Sequence, residues 1–244
     1  MALGVLDKVK EFQATLRYGQ TIGENIGFQD YKALNKRFLQ ISKQVSCPHN
    51  HSHILSFIAA LTALPKEVEG CVVEAGCFKG GSSAKISLLC DKLQRDLVIF
   101  DSFEGLPAND EDHQTSILGH SIEDWFQEGA FSGALEEVKA NIERYGVIER
   151  CEFIKGWFDE TMPAFKRPVA AAYIDVDLAS STRTCLKQLY PLLKPGGVLM
   201  SQDGDFPLVI EVFQDVRFWR EEVGCEKPEI EGLGTSKMLK IIKR

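Results

Sequence analysis

Short, nearly uninterrupted apolar runs recur along the chain and alternate with stretches whose apolar residues return every three or four positions. The runs at Val72-Val73, Asp96-Leu-Val-Ile-Phe-Asp101, Cys151-Glu-Phe-Ile-Lys155, Val169-Ala-Ala-Ala-Tyr-Ile174, Val198-Leu-Met-Ser201 and Lys237-Met-Leu-Lys-Ile-Ile242 predict buried strands. Helical spacing follows them: Ile86, Leu89, Cys90 and Leu93; Leu135, Val138, Ile142 and Tyr145; Ser181 to Leu193; and Val209, Val212, Phe213, Val216 and Trp219. Strands that alternate with helices predict an α/β domain, a mostly parallel sheet with helices on both faces. Residues 1 to about 65 show no strand pattern. There, Leu3 to Leu16 and Tyr31 to Ile41 read as helices joined by the glycine-punctuated loop Tyr18 to Gly27. Two units are therefore expected: a helical N-terminal extension over 1–65, covering a substrate cleft or making a subunit contact, and the α/β domain over 66–244.

In such a sheet, ligands sit beyond the C-terminal strand ends, near the point where strand order reverses. Glu74, Asp101, Asp175 and Asp203 are all expected on that edge. The first connection, Glu74-Ala75-Gly76 to Gly80-Gly81, is a glycine-rich turn into a helix that Ser82 and Ser83 are placed to cap. It lets a ligand approach bare backbone, and the helix start offers N–H groups and partial positive charge to a carboxylate or phosphate. The spacing Gly76-x-x-x-Gly80-Gly81 differs from the G-x-G-x-x-G of dinucleotide folds. Asp101 ends the second strand, where a short, rigidly held carboxylate can accept from both hydroxyls of a ribose.

Two other stretches carry candidate chemistry. Cys47-Pro-His49-Asn-His51-Ser-His53 resembles a set of zinc ligands, but no second Cys/His pair accompanies it, and Asn50 or Ser52 is better read as the cap of a helix over His53 to Leu64. The polar stretch 108–128 reads as a lid or substrate loop, in which His113 and His120 are candidate bases near neutral pH.

Composition narrows the partners. A net charge of -7 argues against a phosphate-backbone partner and for a small-molecule one. Seven cysteines, odd in number and without a Cys-x-x-Cys pair, suit a reducing compartment. Charge comes too early for a signal peptide and the longest apolar segment, Ile54 to Leu64, is too short for a bilayer. A soluble, cytoplasmic protein without nucleic-acid or membrane partners is the expectation.

Taken together, Val73-Glu-Ala-Gly-Cys-Phe-Lys-Gly-Gly81, Phe100-Asp-Ser-Phe-Glu-Gly-Leu-Pro107, Lys155-Gly-Trp-Phe-Asp-Glu-Thr-Met-Pro163, Ile174-Asp-Val-Asp-Leu178 and Leu189-Tyr-Pro-Leu-Leu-Lys-Pro-Gly-Gly197 resemble the class I S-adenosylmethionine-dependent methyltransferases, and within them the macrocin O-methyltransferase family. The resemblance implies a Rossmann-like sheet of seven strands, the last antiparallel. It implies that Glu74, Ala75 and the turn from Gly76 through Gly80, Gly81, Ser82 and Ser83 hold the methionine portion of S-adenosylmethionine, Asp101 and Ser102 its ribose, and Gly156, Trp157 and Phe158 its adenine side, with Asp175 nearby. It also implies Mg2+, with Asp175 as first ligand and catalytic base and Asp203 as one of a pair of acids. Here that pair is Gln202-Asp203, with Asp205 and Asp177 available to make up the missing charge. A homo-oligomer, such as a dimer, is implied as well. The expected reaction is O-methylation of a sugar or similar diol of a natural product. Catechol or other aromatic O-methylation, and a catalytically silent S-adenosylmethionine-binding protein, are the alternatives.

Overall fold

The computed structural model describes residues 25–47 and 51–244. The helix expected over Leu3–Leu16, most of the glycine loop before Gly27, and His49 and Asn50 lie outside the described residues. Six strands form one sheet in the order β3-β2-β1-β4-β5-β6. They are β1 (Cys71–Ala75), β2 (Leu97–Asp101), β3 (Cys151–Lys155), β4 (Val169–Ile174), β5 (Leu193–Ser201) and β6 (Leu239–Ile242). All neighbours pair parallel except β6, which runs antiparallel to β5. The order reverses between β1 and β4, which places a crevice beyond the ends of those two strands.

Both faces of the sheet are dry, which is why its strands read as continuous apolar runs. On one face Val72, Ile99, Tyr173 and Met200 pack against helices α1 (Phe28–Gln44), α2 (His51–Thr62), α3 (Gly81–Leu93) and α4 (Leu135–Tyr145). On the other, Val73, Phe100, Ile174 and Leu199 pack against α5 (Ala179–Leu189) and α6 (Pro207–Gln214). Alternate residues of each strand thus serve opposite cores. Helices α1 and α2 share the first of these cores with the sheet.

Three expectations are corrected. Among the described residues six strands are present rather than seven: between Gly224 and Met238 the chain makes only an isolated antiparallel bridge, Glu231 to Lys240. Glu226-Lys-Pro-Glu229 there is charged and broken by a proline that has no N–H to give a ladder. The helix expected to reach Leu193 ends at Leu189: Tyr190 keeps helical angles, but Pro191 has no N–H to continue the ladder and its ring crowds the preceding turn. Ser82 and Ser83 do not cap α3; its cap is Gly80, left-handed at φ 79°, with no side-chain cap bond. Among the described residues no helix is long and apolar enough to cross a membrane.

Candidate functional site

The C-terminal strand ends open into a cavity of about 1020 Å3. On one side its wall is the turn after β1, where Gly76 has φ +81° and a Cβ would lie 1.9 Å from the Asp175 carbonyl oxygen. Only glycine lets the β1 and β4 loops pass this close. Gly81 and Ser82, at the start of α3, continue the wall, and Asp101, Ser102, Gly156, Trp157 and Phe158 complete it.

Asp101 ties this side together. Its Oδ2 accepts the Cys77 N–H at 2.7 Å and its Oδ1 the Phe103 N–H at 2.7 Å. Burial raises its carboxyl above the ordinary range, and these two backbone bonds pull the other way. A carboxylate has about four lone-pair positions, so further donors can still be taken from the cavity. Ser102 turns its hydroxyl to the Gly105 carbonyl, closing the loop after β2.

Glu74 stands behind the turn. It is fully buried, accepts from the Ser83 hydroxyl and does not line the cavity; neither do Ala75, Gly80 and Ser83. Burial pushes its carboxyl up to about 8, against the bonds from Ser82 and Ser83. Because the folded value lies above the unfolded one, the protonated form stabilises the fold below pH ~4.5, and that contribution is lost as pH rises to about 8. The shift corresponds to stability on the order of 5 kcal/mol. Glu74→Gln mimics the protonated acid, so its thermal midpoint is expected to stay nearly flat over the pH range in which the native protein's falls. Parallel slopes in a melting series across that range would refute the assignment.

Beside the glycine turn, the ends of β4 and β5 carry the acids, of which Asp175 and Asp177 line the cavity. Carboxylate oxygens of Asp175, Asp177 and Asp203 all lie within 4.8 Å of one another. Asp203 Oδ2 accepts the N–H groups of Val176 at 2.9 Å and Asp177 at 3.1 Å, which pins the β4 loop to the β5 loop. Asp177 adopts φ +62°, a conformation rare outside glycine and found where a site dictates backbone shape. Its carboxyl is held well above the usual range, first by burial and then by the charges of Asp203 and Asp175, with Lys237 opposing. Three hard oxygen ligands in this arrangement could hold a magnesium or calcium ion, and the donor set does not suit zinc.

Other expected site residues go elsewhere. Gln202 is fully buried and turned away from the acids: its Nε2 lies 2.9 Å from His53 Nδ1 and its Oε1 accepts the Tyr173 hydroxyl at 3.1 Å. Asp205 lines the cavity but pairs with Lys237 Nζ at 2.9 Å. His113 leaves consideration as a base, because its ring is packed against Phe126 and Phe206, bonds Glu111 at 3.0 Å and lies outside the cavity wall. His120 does line the cavity. The Cys47–His53 stretch gives no shared metal geometry among its described residues: His51 is buried against Asn35, with its pKa lowered to about 4 by burial and by Lys85, while Cys47 and His53 face the cavity. His53, expected only as the start of a helix, reaches the cavity wall, and Asp177, expected beyond a strand ending at Ile174 as a reserve acid, joins the cluster as its third member.

The loop between β2 and α4 is anchored across the site. The Glu111 carboxylate accepts from Ala179 N at 2.7 Å, Ser180 N at 2.9 Å and Ser180 Oγ at 2.7 Å. It caps α5, whose own N-cap Leu178 offers no side-chain bond. Burial would raise this carboxyl, but the bonds from His113, Ser180 and Ala179 pull it down to about 2. Leu118, Ile122 and Trp125 of the anchored loop add an apolar wall to the cavity.

A parallel sheet with its reversal between β1 and β4, an antiparallel last strand and a cavity at that reversal define the class I methyltransferase fold. Solved structures agree: a calicheamicin methyltransferase, CalS11, matches with TM-score 0.61 and 20% identity over 87% of this chain and 92% of that one. The O-methyltransferase NovP matches with TM-score 0.59 and 21% identity over 85% of this chain and 79% of that one. Residues 55–234 match the family model of macrocin-O-methyltransferase (TylF), and the chain belongs to that family. It is an O-methyltransferase. A curated relative from Streptomyces olivaceus, an 8-demethyl-8-(2,3-dimethoxy-alpha-L-rhamnosyl)-tetracenomycin-C 4'-O-methyltransferase, is 34% identical, covering 71% of this chain and 67% of its own length. Mycinamicin III 3''-O-methyltransferase of Micromonospora griseorubida is 30% identical, covering 71% and 70%.

Proposed function

We propose that this enzyme moves the methyl group of S-adenosylmethionine to a sugar hydroxyl of a small-molecule biosynthetic product, assisted by Mg2+ between Asp175, Asp177 and Asp203. The observation that carries the reading is that a glycine turn at a helix start and two acids of a three-carboxylate cluster, Asp175 and Asp177, line the same cavity, with Asp203 buried behind them. Its volume of about 1020 Å3 reaches the upper end of the range for single ligand pockets, which suits a donor and an acceptor side by side. The rhamnosyl and mycinamicin names of the relatives support a glycoside acceptor.

On the donor side, Gly76, Gly81 and Ser82 would admit the amino-acid portion to the helix start, Asp101 would take ribose hydroxyls, and Gly156 to Phe158 would flank the base. Glu74 would act from behind, fixing Ser83 and hence the turn. A bound magnesium ion supplies a lowered hydroxyl pKa and a fixed direction for the acceptor. Asp175 lines the cavity, where it could both hold the ion and take the proton; His120, on the anchored loop, also lines the cavity and is a second candidate base. The described part of the extension would contribute to an acceptor cover, since its Cys47 and His53 reach the cavity wall.

S-adenosylhomocysteine release is the test, measured on vicinal-diol glycosides and on catechols, with and without chelator. Turnover of glycosides that falls at least about a hundredfold in chelator and returns with magnesium is the expected result. Full activity in excess chelator would remove the metal from the scheme.

A further inference from the structure

Gln202 stands next to Asp203 of the acid cluster, and the structure shows what its amide does there. Three side chains form a line from the core to the cavity: Tyr173 OH to Gln202 Oε1 at 3.1 Å, then Gln202 Nε2 to His53 Nδ1 at 2.9 Å. Tyr173 is 1% exposed and Gln202 0%, whereas His53, near the start of α2, belongs to the cavity wall.

The direction of this line is set at its buried end. The Tyr173 hydroxyl, buried in the core, donates to the amide oxygen. A phenol that donates holds the carboxamide oxygen inward, which points the NH2 group at the imidazole and makes Nδ1 an acceptor. A neutral imidazole whose Nδ1 accepts carries its hydrogen on Nε2.

We propose that His53 is a specificity-determining residue, fixed by Gln202 and Tyr173 as an N–H donor that binds an oxygen lone pair of the methyl acceptor. The inference rests on the reading of this cavity as an acceptor site. It selects by chemical class: an ether, carbonyl or hydroxyl oxygen satisfies the Nε2–H, whereas an ammonium group at that place presents hydrogen to hydrogen. It also separates two jobs that an acid at 202 would merge. A carboxylate there could only accept, which would draw the imidazole hydrogen to Nδ1 and turn Nε2 into a proton acceptor. With glutamine, proton removal is left to Asp175 or His120, and His53 recognises the sugar.

The test uses the full chain labelled with 15N and long-range 1H–15N correlation of the histidine rings, with His53→Phe for assignment. At neutral pH the His53 ring is expected to be neutral with its hydrogen on Nε2, and Gln202→Glu is expected to move that hydrogen to Nδ1. Titration with methyl α-L-rhamnopyranoside is expected to shift the Nε2 resonance. His53→Phe is expected to weaken that sugar about tenfold, read from the indole N–H of Trp125 in the same cavity. A native ring protonated on Nδ1, or sugar binding that moves Trp125 and leaves His53 Nε2 unmoved, overturns the proposal. Donor affinity measured by calorimetry reports on the methyltransferase reading separately, so that the two can fail independently.

Discussion

Asp175→Asn is expected to lower kcat at least about a thousandfold while S-adenosylmethionine still binds within about threefold of the native affinity. The asymmetry follows from where the side chain stands. Asp175 begins the loop after β4 and its carboxylate belongs to the cluster with Asp177 and Asp203, whereas the proposed donor contacts come from the β1 and β2 loops, which Asp175 meets through its backbone at Gly76. An amide keeps the shape and one carbonyl oxygen but removes the charge that a hard divalent ion requires and the capacity to receive the acceptor's proton. Asp177→Asn should behave differently: it leaves a base in place and thins the ligand charge, so about ten- to hundredfold more magnesium should restore most of the rate. A readout without turnover accompanies both variants. Saturating magnesium should raise the native melting midpoint by about 5 °C or more through binding to the folded state alone, and neither variant should show the full rise. An Asp175→Asn enzyme with unimpaired kcat would sink the assignment.

Much of this was legible along the chain because a doubly covered parallel sheet writes itself as apolar runs and leaves its functional residues at their ends. β3 and β4 fall where the runs predicted, and Asp101, Asp175 and Asp203 stand at or just beyond their strand ends, as expected. What escaped prediction depends on partners remote in sequence. Gln202 was read by position as a metal ligand, but its direction is set by Tyr173 on the neighbouring strand and His53 on α2, 149 residues away. His113 and His120 look alike in a polar loop; only the packing of Phe126 and Phe206 around one of them, and its bond to Glu111, separates them. Ser82 and Ser83 are good capping residues by type, yet the buried Glu74 carboxylate nine residues earlier claims the Ser83 hydroxyl, and Gly80 takes the cap with its backbone instead. The absent seventh strand is a local failure that Pro228 and its charged neighbours announce once hairpin pairing is asked of them.

Asp101→Ala is expected to raise the dissociation constant for S-adenosylmethionine at least about a hundredfold and to lower stability by about 2–5 kcal/mol at the same time. The two effects have one origin. Each carboxylate oxygen already receives a backbone N–H, from Cys77 in the glycine turn and from Phe103 beyond β2, so truncation strands two buried donors and loosens the turn. On the proposed function the remaining lone pairs take the donor's ribose hydroxyls, and hydrogen bonds to a charged acceptor are worth about 1.5–3 kcal/mol each. Asparagine is no conservative replacement here, because its amide supplies one acceptor oxygen and turns NH2 against the other N–H. Asp101→Asn should therefore lose nearly as much stability as alanine while keeping part of the affinity. The pH dependence has a definite sign: burial raises this carboxyl above its ordinary value, so donor binding should weaken as pH falls through that raised range, sooner than a solvent-exposed aspartate would allow. Calorimetry at two pH values on the native chain and both variants, alongside melting curves, separates the roles. A large drop in melting midpoint with unchanged donor affinity would leave Asp101 as a brace for the turn and move the ribose contact to another wall of the cavity.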